Sequence, residues 1–140
     1  LMITGNFSLL AGIHPDEVDA WYLGIYIDAV QWVEITNTRG MSQYADGGII
    51  ATKPYVASAN YIHSMSDYCQ ECHYNYRAGY GERACPFNSL YWDFLDRHRS
   101  KLNKNPRVAL MYRTWDRKDG SEKEKILKQA RTYKKILNDL

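Results

Sequence analysis

The sequence predicts an all-α fold, on three observations. Apolar residues recur at helical spacing in its clearest segments, prolines and glycines punctuate those segments, and no pair of alternating strands joined by a hairpin dipeptide occurs. With 140 residues and 45% apolar content the chain has the length of one domain and can bury a sizeable core, which excludes a disordered tail. No apolar run approaches the ~20 residues that span a bilayer, and the amino terminus lacks a basic region followed by a cleavage site. The expectation is therefore a soluble, cytoplasmic protein with no membrane partner.

Each helix has its own signals. The opening Leu1-Met2-Ile3-Thr4-Gly5-Asn6-Phe7 reads as the middle of a helix with no cap before it, so the chain is expected to be a piece of a longer one. That helix continues through Leu9 and Leu10 and can stop at Gly12. Pro15 fills a first-turn position of the next, where Asp16, Glu17 and Asp19 complement the helix dipole, and its expected apolar face is Val18, Trp21, Tyr22, Ile25 and Tyr26. A short segment holds Val30, Trp32 and Val33. The stretch from Thr36 to Gly48 is rich in Gly, Asn, Ser and Asp and reads as an ordered loop of a length that is often functional.

Pro54 interrupts the chain, Tyr55 to Met65 is moderately helical, and the cysteine-bearing stretch runs from Asp67 to Cys85. Pro86 opens the clearest helix, with Phe87, Leu90, Tyr91, Phe94 and Leu95 on one stripe. Pro106 marks a boundary before a short segment around Val108 to Tyr112. The last helix is expected to start at the capping box Ser121-x-x-Glu124 and to bury Ile126, Leu127, Ala130, Tyr133, Ile136, Leu137 and Leu140.

Composition adds two further facts. There are 12 Tyr and 4 Trp against 3 Phe, a balance that suits surfaces needing both a ring and a hydrogen-bonding tip. Residues 1 to 95 carry 4 basic and 10 acidic groups, whereas residues 96 to 140 carry 14 and 6, a net of +8 at the end of the chain. That end could face phosphates, although solvated helices give the same count.

The sharpest pattern is Cys69-x-x-Cys72 followed by twelve residues and then Cys85. Two thiolates so spaced can grip one metal from a single turn, and the loop is long enough to return the third. A fourth ligand must come from elsewhere: His63 and His98 are geometrically open to it, His73 is too close to Cys72, and a residue outside the chain would serve as well. A disulfide would leave one cysteine odd, and no βαβ context for a redox pair is visible. Spacing leaves inert or redox thiols open and does not separate zinc from iron-sulfur.

A series of blocks now carries a resemblance: Gly5-Asn6-Phe7, Leu10-Ala11-Gly12-Ile13, Tyr26-Ile27-Asp28-Ala29-Val30, the run Arg39 to Gly48, Ala51-Thr52-Lys53-Pro54-Tyr55, Tyr61-Ile62, Met65-Ser66-Asp67-Tyr68-Cys69, Ala84-Cys85-Pro86-Phe87-Asn88 and Tyr91-Trp92-Asp93-Phe94. They resemble the carboxy-terminal helical flavin domain of the iron-sulfur bacterial cryptochromes and photolyases, the deoxyribodipyrimidine photolyase-related family that includes the prokaryotic (6-4) photolyases. The likeness covers nearly the whole chain and weakens after about Trp115.

The resemblance implies that residues 1–140 are the carboxy-terminal portion of the FAD-binding domain of the photolyase/cryptochrome fold, with an antenna domain upstream. It implies FAD and a 4Fe-4S cluster as cofactors, with Cys69, Cys72 and Cys85 as three of four cluster ligands and the first ligand upstream. Trp21 and Tyr22 match the redox aromatics beside the flavin, and Asp28 with Ala29 matches the acid-bearing turn near it. Glu34 and Asn37 match partners of its reactive nitrogen. Met41 borders the lesion pocket, Lys53 and also Arg39 lie toward DNA, and Tyr55 and Tyr61 lie between the cluster and the DNA side. Ordinary helix packing accounts equally well for several of these aromatics.

The implied activity is that of a light-driven DNA lyase repairing pyrimidine (6-4) photoproducts in damaged DNA. Two alternatives stay open: a blue-light photoreceptor of the same family, and a zinc-stabilised helical binding module without flavin. The family's catalytic histidines fall before Leu1, so His14, His63, His73 and His98 read as structural or surface residues. A protein of this length alone is expected to be inactive and to hold its cluster loosely.

Overall fold

Prolines open helices here because they lack the N–H that a first turn leaves unpaired, and glycines close them by entering the left-handed region. The structure, a computed structural model, describes residues 3–139. Leu1, Met2 and Leu140, and with them the expected burial of Leu140, lie outside the described residues. Eight α-helices and one π-helix make up the described fold, which contains no strand beyond a single bridge between Asn75 and Ala84. The all-helical expectation is met. None of the described helices is long and apolar enough to cross a membrane.

The chain divides into two units, one up to Val56 and one from Ala57 onward. In the first, α1 (Thr4–Ala11) ends at Gly12, whose φ of 85° lets its N–H and that of Ile13 reach the Ser8 carbonyl at 3.0 Å. α2 (Pro15–Ile25) begins with Pro15 as expected, and the His14 Nδ1 caps it by accepting from the Asp16 N–H at 3.3 Å. Its expected apolar face divides, however. Val18 and Tyr22 are buried, while Trp21, Ile25 and Tyr26 are exposed.

α3 (Gln31–Glu34) runs directly into the π-helix Ile35–Ser42, where the sequence reads as loop. The correction has a physical reason. Ile35-Thr36-Asn37-Thr38-Arg39-Gly40 has poor intrinsic helix propensity, so polar tertiary contacts must hold the widened turns. Thr38 donates to the buried Glu34 carboxylate, and the buried Gln43 amide donates to the Gly5 carbonyl at 3.0 Å. Arg39 reaches Asp16 at 2.6 Å and Asp19 at 2.7 Å on α2. The remainder of the stretch is a turn in which Asp46 accepts from the Gly48 and Ile50 N–H groups.

The second unit is built on α5 (Pro86–Arg97), which packs against α8 (Gly120–Asn138). Leu90, Tyr91, Phe94 and Leu95 of α5 and Ile126 and Ala130 of α8 are buried, and the stripes predicted from the sequence carry this contact. Ile136, expected inside, is exposed on the last turn. The cap of α8 is Asp119, not Ser121: its carboxylate accepts from the Ser121 N–H at 2.9 Å and the Ser121 hydroxyl at 2.6 Å, which displaces the expected capping box.

Around this pair stand α4 (Ala59–Met65), α6 (Arg99–Leu102) and α7 (Ala109–Arg117). α4 starts four residues later than expected, α6 carries no distinct sequence signal, and α7 extends beyond Tyr112. Trp115 of α7 stacks on Trp92 of α5 with centroids 5.0 Å apart and donates its indole N–H to Asp96 at 2.9 Å. Asp93, buried on α5, is met by Arg97 at 2.8 Å and by Lys134 of α8, so its charge is neutralised twice.

Candidate functional site

Two groups of sequence-predicted residues are assembled, one in each unit. In the first unit α2 presents three rings together. Trp21 meets Tyr22 edge-on at 5.2 Å and Tyr26 at 6.1 Å, and Tyr22 stacks on Tyr26 at 5.4 Å. Their environments differ: Tyr22 is 5% exposed and Trp21 is 46% exposed. The Tyr22 hydroxyl lies 2.6 Å from that of Thr4, and burial raises its pKa against the opposing pull of that hydrogen bond. Tyr22 is thus a fixed, protonated phenol behind an accessible indole.

The other residues expected beside a cofactor are unevenly placed. Asp28 is exposed and Ala29 half-buried in the turn between α2 and α3. Asn37 is half-buried in the π-helix, and Glu34 is turned inward, bonded to Thr38. Around them Ile27, Val30, Trp32 and Ile35 are all exposed, with Trp32 at 74%. Contiguous exposed apolar side chains mark a surface built for contact.

Of the residues expected on the DNA side, Lys53 and Tyr55 are exposed and Met41 is half-buried in the π-helix; Tyr61, on α4 of the second unit, is also exposed. Arg39, expected to face DNA, is instead held by Asp16 and Asp19, and those carboxylates raise its pKa further. Its side chain is still 39% exposed, so these ion pairs occupy it without burying it.

The cysteine loop of the second unit is tied down from several sides. Asn75 donates its N–H to the Arg83 carbonyl at 2.6 Å and accepts at its own carbonyl from the Cys85 N–H at 3.2 Å, which returns Cys85 toward the start of the loop. The buried Asn88 donates to the Tyr76 and Ala78 carbonyls, both at 2.8 Å, and accepts from the Ala59 N–H at 3.0 Å. His63 of α4 stacks on Tyr76 at 3.7 Å, so it serves packing, as does His98 against Phe94. Neither Asn75 nor Asn88 figures among the expected functional residues. The signal for Asn88 was there: it lies three and seven residues before Tyr91 and Leu95, a polar residue on a core-facing stripe.

All three cysteines are free thiols, with Cys69 and Cys85 half-buried and Cys72 exposed. Burial raises the pKa of Cys69 and of Cys85, and each is raised further by neighbouring thiols: Cys69 by Cys72, and Cys85 by both others. Raised in this way, the Cys69 and Cys85 thiols stay protonated more readily than free ones. The three cysteines are not drawn into a ligand array, for among the described residues no group of three His, Cys, Asp or Glu side chains is arranged to hold a metal ion. The donor chemistry fits a thiolate-bound centre; the closed geometry is absent.

No protein-family model matches the chain. It is 53% identical over 138 residues, 99% of its length, to a (6-4) photolyase of Agrobacterium fabrum, and spans 27% of that protein. It is also 32% identical over 139 residues to an uncharacterized protein of Acanthamoeba polyphaga mimivirus, covering 99% of this chain and 100% of the relative. Such identity along the whole chain, on an all-helical fold, settles its kinship: the chain belongs to the photolyase family.

Proposed function

We propose that this chain is part of the helical domain of a light-driven DNA lyase that repairs pyrimidine (6-4) photoproducts, and that this domain binds FAD and a 4Fe-4S cluster. The observation that carries the reading is the 53% identity over 99% of the chain to a (6-4) photolyase. The aromatic group on α2 supports it. Reduced FAD, when bound, would supply the light-excited electron that splits the lesion, and the protein's part is to hold, shield and feed the cofactor.

Trp21 and Tyr22 take the role of electron relay. Ring contact at 5.2 Å suits transfer between them, and the indole oxidises without needing to lose a proton to a neighbour at once. Tyr22 keeps its proton, held against Thr4. Asp28, through its carboxylate, and the Ala29 backbone would help hold the cofactor. Asn37 would help hold the flavin, and Glu34 fixes the π-helix that carries Asn37 through its bond to Thr38. Lys53, with its exposed ammonium, contacts DNA phosphate, while Met41, Tyr55 and Tyr61 flank the lesion side. Cys69, Cys72 and Cys85 would hold the cluster, with a fourth ligand from another part of the protein.

The test uses the intact protein that carries this segment. Flavin absorption, iron with acid-labile sulfide, and blue-light repair of an oligonucleotide containing a (6-4) photoproduct are expected together. Trp21→Phe should slow flavin photoreduction while leaving flavin bound, and Cys85→Ser should remove iron and sulfide. A colourless protein with one zinc per chain would overturn the reading in favour of a zinc-stabilised helical module. Photoreduction without repair would overturn it in favour of a photoreceptor.

A further inference from the structure

A cleft in the second unit, apart from the residues discussed so far, lies between the loop at Tyr80 and the face of α8. It encloses about 340 Å³ and is lined by Tyr80, Lys125, Lys128, Gln129, Thr132 and Tyr133. Its floor is mainly apolar, made of tyrosine rings and lysine stems, and its rim is cationic. The Lys125 ammonium stands 5.4 Å from the Tyr80 ring centre. The loop is anchored for the purpose: Gln129 accepts from the Gly81 N–H at 2.7 Å, donates to the Gly81 carbonyl at 2.9 Å and donates to the Tyr133 hydroxyl at 2.9 Å. The shape is thus present before any ligand arrives.

The surrounding charge is mainly positive, although Glu124, next to Lys125, and Glu82, two residues after Tyr80, are exposed nearby. Arg131 and Lys135 continue the exposed face of α8, within the segment from residue 96 that carries 14 basic against 6 acidic groups. The acids of that segment are largely engaged elsewhere: Asp116 with Arg99, Glu122 with Lys118, and Asp119 at the helix cap.

We infer that this cleft binds a single nucleic-acid strand, one base lying on the Tyr80 and Tyr133 floor and the flanking phosphates meeting Lys125 and Lys128. Stackable rings beside paired ammonium groups are the combination that holds single strands without reading their sequence. Neither flavin, light nor a lesion is required. The inference therefore goes beyond the repair reading and stands or falls apart from it.

Fluorescence anisotropy of a labelled, undamaged oligothymidylate on the full chain is the test, with circular dichroism confirming that each variant folds. Lys125→Glu with Lys128→Glu should cost at least tenfold in affinity and lower the salt slope by about 1 to 2, as expected for about two released phosphate contacts. Tyr80→Ala, which leaves the charge unchanged, should cost about tenfold through lost stacking. Lys101→Glu with Lys104→Glu makes the same charge change elsewhere in the unit and should cost much less. Equal losses from the two lysine pairs, no loss from Tyr80→Ala, or equally tight binding of inorganic polyphosphate would each overturn the inference and leave only general polyanion attraction.

Discussion

Asn88 on the first turn of α5 accepts, through its side-chain carbonyl, the N–H of Ala59, the first residue of α4, at 3.0 Å. The same amide holds the cysteine loop by two further bonds, to Tyr76 and Ala78. One buried side chain thus satisfies three backbone groups, two in the cysteine loop and one on α4. Asn88→Ala should destabilise the second unit by about 2 to 4 kcal/mol, because three buried partners lose their bonds at once. Chemical denaturation checks the magnitude, and Cys69 and Cys85 should become more reactive to a thiol reagent in the variant. Unchanged thiol reactivity would show that the loop does not depend on this anchor.

Alkaline titration should unfold the chain earlier than its charge alone suggests. Burial pushes the Tyr91 phenol from 10.0 up to about 12, and burial also raises Tyr112 and Cys85. A group whose folded pKa is raised stabilises the fold fully below its unfolded pKa, and that stability is lost as pH climbs through the folded value. For Tyr91 the window is about pH 10 to 12 and the contribution about 3 kcal/mol. Tyr91→Phe should flatten the pH dependence in that window, measured by thermal melts at stepped pH.

Gly48 has a φ of 99°, and a Cβ placed there would lie 2.5 Å from the Tyr44 hydroxyl oxygen. Gly48→Ala should therefore destabilise the first unit by about 1 to 2 kcal/mol through backbone strain, with more if Tyr44 cannot move aside. Gly47, whose φ is 73° but whose Cβ would meet nothing within 4 Å, should tolerate Asn with a smaller loss. Comparing denaturation midpoints of the two variants separates backbone strain from the clash.

Arg39 and Lys53 should part company in a DNA-binding assay. Arg39 is occupied by Asp16 and Asp19, so Arg39→Ala should leave DNA affinity nearly unchanged and cost little stability, as exposed ion pairs do. Lys53→Ala should weaken binding and reduce the salt slope by about 1. A larger DNA effect from Arg39→Ala than from Lys53→Ala would mean that the ion pairs open on binding.

The sequence alone determined the helices whose signals are local. Pro15 and Pro86 at first turns, Gly12 at a helix end, and the α5 and α8 stripes are each a property of a few adjacent residues, and the structure keeps them. The aromatic pair Trp21 and Tyr22 and the cysteine spacing were equally plain on the chain. What only the tertiary structure decided depends on residues far apart. The π-helix exists because Gln43 finds Gly5 and Arg39 finds Asp19, contacts no local propensity encodes. The same distance effect separates Tyr22, buried against Thr4, from its exposed neighbour Trp21 on a face that looked uniformly apolar. It also tied Arg39 to α2 through Asp16 and Asp19 and set Asn88 as the anchor of the cysteine loop. Burial and hydrogen-bond satisfaction are settled by which elements meet, and a linear pattern records only which side chains are able to meet them.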